Sequence, residues 1–291
     1  MAEHKKPVDD VTGVETTGHE WDGITELNNP LPRWWLWIFY ACIAFAALYT
    51  LLYPAWPLVN QATAGILGWS SRVQVEKTLS EAEAGKKEIL QQIAALEPAE
   101  IIAEEGLRVH AIAAGKAAFK VNCVQCHGSG AAGGGGYPNL NDDDWIWGGT
   151  PEAITATLMH GIRYGADDDT RISDMPAFGR DGLLDRDQIT DVANYVRQLS
   201  GQEADAEAAE RGKAVYAENC VFCHGENGEG MKEVGAPALN DAIWLYGGSL
   251  KDITAQIQNP RQGVMPAWAD RLGETTVKEL AVYVHSLGGG Q

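Results

Sequence analysis

Two short stretches constrain this chain more than anything else in it: Cys123-Val124-Gln125-Cys126-His127 and Cys220-Val221-Phe222-Cys223-His224. Two cysteine sulfurs three residues apart reach the two vinyl groups on one porphyrin edge. The adjacent imidazole can then swing over the ring and bind the iron, and Cys-x-x-Cys-His is the attachment sequence of c-type haem. A chain with two such stretches has to fold twice around a covalently tethered ring. An electron-carrying haem also takes a sixth ligand, and each stretch has one candidate downstream in the same setting. Met175-Pro176-Ala177 begins 48 residues after His127, and Met265-Pro266-Ala267 begins 41 residues after His224. The chain order assigns His127 and Met175 to one haem, His224 and Met265 to the other.

A zinc knuckle or a dithiol redox pair would also use Cys-x-x-Cys, but neither requires the histidine that follows both pairs. Methionine alone is weak evidence, because most methionines fill cores. Met159 and Met231 have no counterpart in the other copy and read as filler. The repeated Met-Pro-Ala context sets Met175 and Met265 apart, in line with how haem iron is held. His110, His160 and His285 also lack aligned partners and are set aside as ligands. Cys42, inside an apolar run, reads as a small buried hydrophobe.

The two stretches lie 97 residues apart, and the surroundings repeat with them. Gly115-Lys116 matches Gly212-Lys213, and Phe119 matches Tyr216. Asn139-Leu140-Asn141-Asp142 matches Ala238-Leu239-Asn240-Asp241, and Trp145-Ile146-Trp147-Gly148-Gly149 matches Trp244-Leu245-Tyr246-Gly247-Gly248. Each copy closes on a helical segment, with Tyr195-Val196 in one and Tyr283-Val284 in the other, ended by glycine. Residues 101–202 and 203–291 are thus expected to be two small helical domains, each with a haem for much of its core. Trp145, Trp147, Trp244 and Tyr246 are candidates to pack on porphyrin edges, although ordinary core packing explains them equally. Arg163 and Arg261 are candidates to pair with propionates. The run Gly133 to Gly136 reads as a flexible surface loop.

Ahead of the repeat, residues 34–53 contain no charged side chain, and twenty residues at 1.5 Å rise span the roughly 30 Å of a bilayer core. Trp34, Trp35 and Trp37 at one end, with Tyr53 and Trp56 at the other, suit the two interfacial belts. A cleaved signal peptide ending at Ala62-Thr63-Ala64 is the rival reading, but its apolar core would be shorter and nearer the N-terminus. Lys5, Lys6 and Arg33 before the span, against Arg72 beyond it, put the N-terminus in the cytoplasm. Residues 1–33 read as a largely disordered tail. Residues 54–100 read as an interfacial collar followed by a helical spacer, with apolar positions at helical spacing from Val73 to Leu96 and Pro98 at a helix boundary. The net charge of −18 argues against nucleic acid and suits a basic soluble partner, or simply a soluble exported domain.

The two repeats resemble class I cytochrome c domains, with Pro138 and Pro237 where such domains place a proline near the proximal imidazole. The order of parts, together with Tyr53-Pro54-Ala55-Trp56-Pro57 and Gly68-Trp69-Ser70-Ser71-Arg72, is similar to the dihaem c-type subunit (subunit III) of cbb3-type cytochrome c oxidases. The resemblance implies a mainly α protein: one N-terminal transmembrane helix, a helical spacer and two tandem class I cytochrome c domains. It implies two covalently bound haem c groups, tethered by Cys123, Cys126, Cys220 and Cys223, with His127, Met175, His224 and Met265 as axial ligands. It places the chain in a bacterial inner membrane with periplasmic haem domains. The implied partners are the oxidase's catalytic subunit, its monohaem c subunit and a soluble or membrane-bound cytochrome c donor. The only span carries no histidine cluster, so oxygen reduction and proton translocation fall to the complex. Alternative functions are a dihaem shuttle of another respiratory chain, a dihaem peroxidase and a haem-based sensor. Methionine in both copies speaks against an open sixth position, and no output domain is visible.

Overall fold

A computed structural model describes residues 7–289. Lys5 and Lys6, which enter the charge asymmetry about the span, lie outside the described residues. The chain divides into two compact units after Gly85.

In the N-terminal unit, part of the expected disordered tail is a β-hairpin. Strands β1 (Thr16–Trp21) and β2 (Ile24–Leu27) pair antiparallel across Asp22-Gly23. Both turn residues have positive φ, 49° and 84°. Asp-Gly adopts that geometry readily, and it is the strongest short-range hairpin signal in a sequence. The polar composition of the strands concealed it.

Helix α1 (Arg33–Leu52) follows, with no residue buried against the rest of the protein. It is long and apolar enough to cross a membrane. Cys42 is exposed on it rather than buried in a core. The collar folds back on the end of α1: Ile66 and Leu67 donate backbone hydrogen bonds to Leu51 and Leu52 at 2.9 and 3.1 Å. Gly65 lies so close to the Leu52 carbonyl that a Cβ would stand 2.4 Å from it.

The unit boundary falls within α2 (Ser71–Ala95), the expected spacer helix. Pro98 opens α3 (Pro98–Ala103) at its first turn, where a missing N–H costs nothing. Ile93, Ile101, Leu107, Ala111 and Val282 then form one buried cluster. The end of the spacer therefore packs on the haem-bearing part of the chain. Lys278 Nζ donates to the carbonyls of Ala94 and Leu96 at 3.0 and 2.7 Å, satisfying acceptors that α2 leaves free at its end.

The rest of this unit is helical: α4 (Glu105–Asn122), α5 (Val124–His127), α6 (Pro151–His160), α7 (Arg186–Leu199), α8 (Ala206–Asn219), α9 (Val221–His224), α10 (Leu250–Gln258), α11 (Ala269–Leu272) and α12 (Glu274–His285). The starts are written in the sequence. Thr150, Asp185, Asp205 and Ser249 each accept a backbone hydrogen bond from the first turn of the helix they precede.

The packing differs from the sequence expectation. Helix α4 packs on α12, and α6 also packs on α12; α7 packs on α8 and α10. One lobe is therefore built from residues 98–160 and 265–289. The other is a contiguous central block, 175–258, inserted between those two parts. The two cytochrome c segments follow in tandem along the chain, but each lobe takes its closing helix from the other segment.

The reason is partly local. Six residues join α7 to α8, and so short a connection makes antiparallel neighbours of the helices it links. The crossings themselves are equivalent. At one, a Cβ on Gly115 would lie 2.2 Å from the Glu279 carbonyl; at the other, a Cβ on Gly212 would lie 2.1 Å from the Asp191 carbonyl. Aromatic pairs flank both, Phe119 with Tyr283 at 5.5 Å and Tyr216 with Tyr195 at 5.2 Å.

Candidate haem sites

Each attachment stretch lies at a helix end that turns its reactive groups to one side. Cys123 closes α4 and Cys220 closes α8, and each is followed at once by a single-turn helix. Residues three and four apart share a helix face, so Cys123, Cys126 and His127 converge, as do Cys220, Cys223 and His224. Gly128 and Gly225, at φ 77° and 80°, end these turns.

His127 Nδ1 donates to the Pro138 carbonyl at 3.2 Å, and His224 Nδ1 donates to the Pro237 carbonyl at 3.0 Å. A carbonyl only accepts, so the proton is on Nδ1 and the Nε2 lone pair is left for a metal. Burial pushes both imidazoles toward the neutral, ligating form. The Cys123 and Cys220 thiols are raised to about 11, first by burial and then by the neighbouring cysteine.

The structure divides the two methionines opposite to chain order. Met265 packs in the cluster of Phe119, Cys123, Leu158 and Leu280, while Met175 packs in the cluster of Phe178, Val192, Tyr216 and Cys220. The loop carrying Met265 is stitched to the first segment: Ile162 and Met265 exchange backbone hydrogen bonds at 2.9 and 3.0 Å. Gly161 permits this approach, since a Cβ there would meet the Met265 carbonyl at 2.3 Å. The Met175 carbonyl in turn accepts from Gln262 Nε2 at 3.1 Å. The expected pairs, His127 with Met175 and His224 with Met265, are not the pairs the packing brings together. The cause is the exchange of closing helices, which carries each Met-Pro-Ala loop along.

Of the aromatic candidates, Trp145 and Trp244 pack in the two cores. Trp147 lies against Gly235, and Tyr246 beside Gly136, each reaching the other segment's glycine turn. That turn is not a floppy loop. The Gly133 N–H donates to the His127 carbonyl at 2.9 Å and Gly230 repeats this with His224 at 2.8 Å, closing the chain under each imidazole.

Arg163 donates to the carbonyls of Gly263 and Ser173, and Arg261 to that of Tyr246. The structural counterpart of Arg261 is Arg171, which bonds the Trp147 carbonyl and lies over the Trp147 ring as Arg261 lies over Tyr246. Unequal loop lengths hid that equivalence. His110 and His160 pair with Glu279 and Asp167.

A porphyrin suits this arrangement. The donor sets are thiol, imidazole and thioether, lodged among apolar side chains. Among the described residues the buried Trp244 Nε1–H has no acceptor, and a haem propionate would supply one.

Fold and sites define a class: a c-type cytochrome with an N-terminal helix long and apolar enough to cross a membrane and two haem-attachment lobes. Three family matches cover most of the chain. Residues 13–60 match the N-terminal domain of cytochrome oxidase-cbb3, FixP; residues 112–200 match cytochrome c; residues 207–284 match the cbb3-type cytochrome c oxidase subunit III family. The cbb3-type cytochrome c oxidase subunit FixP of Sinorhizobium medicae is 54% identical over 291 residues, all of both chains. Subunit CcoP of Cereibacter sphaeroides is 52% identical over 276 residues, 95% of each chain. Subunit CcoP of Azospirillum sp. is 50% identical over the whole of both. The chain belongs to the FixP/CcoP family of cbb3-type cytochrome c oxidase subunits. It is a membrane-anchored electron-transfer subunit of the cytochrome c type, with two covalently bound haem c groups.

Proposed function

We propose that this subunit takes electrons from a cytochrome c donor outside the plasma membrane and delivers them to the monohaem and catalytic subunits of a cbb3-type oxidase. In this reading α1 is the single span, the N-terminus is cytoplasmic and both haem lobes are periplasmic. Arg33 at the start of α1 supports that orientation.

Cys123 and Cys126 tether one haem, and Cys220 and Cys223 the other. Across the repeat, His127 and Met265 would hold one haem iron, and His224 and Met175 the other. When bound, each haem supplies a one-electron ferric/ferrous couple. The protein's part is to hold it still. Pro138 and Pro237 fix the ring planes of the two histidines, and the Ile162–Met265 backbone pair holds one methionine loop in place. A thioether together with an imidazole would raise each haem's reduction potential and exclude peroxide or oxygen, so both lobes suit electron transfer rather than peroxidase chemistry.

The observation carrying the crossed assignment is the packing of Met265 with Cys123 and of Met175 with Cys220. It is tested in a Cys220→Ser/Cys223→Ser background, which retains only the first haem. There Met265→His should abolish the near-infrared sulfur-to-iron charge-transfer band and Met175→His should leave it. The opposite result restores pairing by chain order. Recovery of haem b and copper with the tagged chain from membranes tests the oxidase assignment.

A further inference from the structure

The two attachment stretches are equivalent in the repeat, yet their outer surfaces differ in kind. Where the first has Gln125, the second has Phe222, whose surface is 83% exposed, among the most exposed large apolar side chains in the protein. Phe222 is two residues from both Cys220 and His224. Position i+2 lies on the opposite side of a helical turn from i, so Phe222 stays on the outside of the turn that holds the porphyrin.

Charge follows the same division. Residues 116–142, around the first stretch, contain Lys116 and Lys120 and one carboxylate, Asp142. The matching residues 213–241 contain Glu218, Glu226, Glu229, Glu233 and Asp241 against two lysines. Two of the changes fall at matched positions beside the turn: Val121 becomes the exposed Glu218, and Ser129 becomes the exposed Glu226. An exposed aromatic with an exposed carboxylate four residues to either side along the chain suits a small docking surface, with an apolar contact at the centre and charge at the edge. The rim selects the sign of the partner and speeds its approach.

We infer that the surface centred on Phe222 and rimmed by Glu218 and Glu226 is where a soluble, lysine-rich electron carrier docks, so that electrons reach this subunit at the central lobe (175–258). The other lobe shares its core with the end of the spacer through Ile93, and beside its attachment stretch it carries Lys116 and Lys120 rather than glutamates. This rests on the electron-transfer reading above and adds to it the site and charge of the donor.

The test uses the tagged oxidase complex purified from membranes, with oxygen consumption driven either by a reduced lysine-rich soluble cytochrome c or by a neutral small-molecule reductant. Glu218→Lys/Glu226→Lys should raise KM for the basic cytochrome about tenfold at low ionic strength, with kcat unchanged and the difference closing as salt is added. Phe222→Ala should raise KM several-fold at every salt concentration. Lys116→Glu/Lys120→Glu should leave KM within twofold. In all three, haem content and the rate with the small reductant should match the unmodified complex. An unchanged KM in the glutamate variant, an equal rise in the lysine variant, or loss of other oxidase subunits from the Phe222→Ala preparation overturns the assignment. Failure of the unmodified complex to consume oxygen with the small reductant would instead remove the electron-transfer reading itself.

Discussion

At the residue scale the least expected group is Glu279. Its side chain lies on α12, 5% exposed, with Oε1 3.5 Å from His110 Nε2. Burial pushes its carboxyl up to about 7 from 4.5, and Lys86 opposes that only in part. Between those values the native state keeps a proton that the unfolded chain has already released, so this group makes stability fall as pH rises from about 4.5 to 7. Glu279→Gln should therefore stabilise the detergent-solubilised chain by about 2 kcal/mol at pH 8, read as a higher thermal midpoint, and change little at pH 4. A larger gain at pH 4 than at pH 8 would contradict it. Nothing in the sequence separates this glutamate from the other thirty-nine acidic residues. Its burial is decided by the helix that crosses over it.

At the element scale the haem attachment turns were legible because they are local. Five residues hold the candidate tethers, candidate ligand and helix end, and Pro138 and Pro237 lie beside the imidazoles as the family resemblance implies. The hairpin at Asp22-Gly23 is equally local, but its strands are too polar to show alternation. The helix crossings show what Gly115 and Gly212 are for. Ala at either position would push a methyl into a carbonyl of the opposing helix, and overpacking of that kind costs roughly 1–3 kcal/mol. Gly85, inside α2 with nothing within 4 Å, is the control. Gly85→Ala should stabilise by up to about 1 kcal/mol through helix propensity alone. Chemical denaturation followed by the haem absorption should order the three variants this way, and an equal effect at positions 85 and 115 would refute the crossing argument.

At the scale of the whole haem-bearing unit, the exchange of closing helices has a direct consequence. Residues 101–202 and 203–291 should not behave as independent domains, because each lobe lacks its closing helix and methionine when the halves are separated. Exported separately, each half should show weakened or absent sulfur-to-iron absorption and low resistance to proteolysis. Exported together from two genes, they should associate and recover both properties. Two halves that each fold stably alone with a full axial pair would refute the exchanged assembly.

The sequence alone carries the candidate chemistry of this protein: two attachment stretches, the two histidines and two methionines proposed as ligands, the apolar segment and the helical repeat. Each of these is specified by a few neighbouring residues or by a simple period. Only the tertiary structure decided which methionine shares a lobe with which histidine. The repeat makes that choice nearly degenerate in sequence, since both possible crossings would join a glycine and an aromatic to the same kind of tyrosine-bearing helix. The balance is tipped by chain connectivity, six residues between α7 and α8 and the backbone pairing of Ile162 with Met265. Those contacts exist only once the chain has folded.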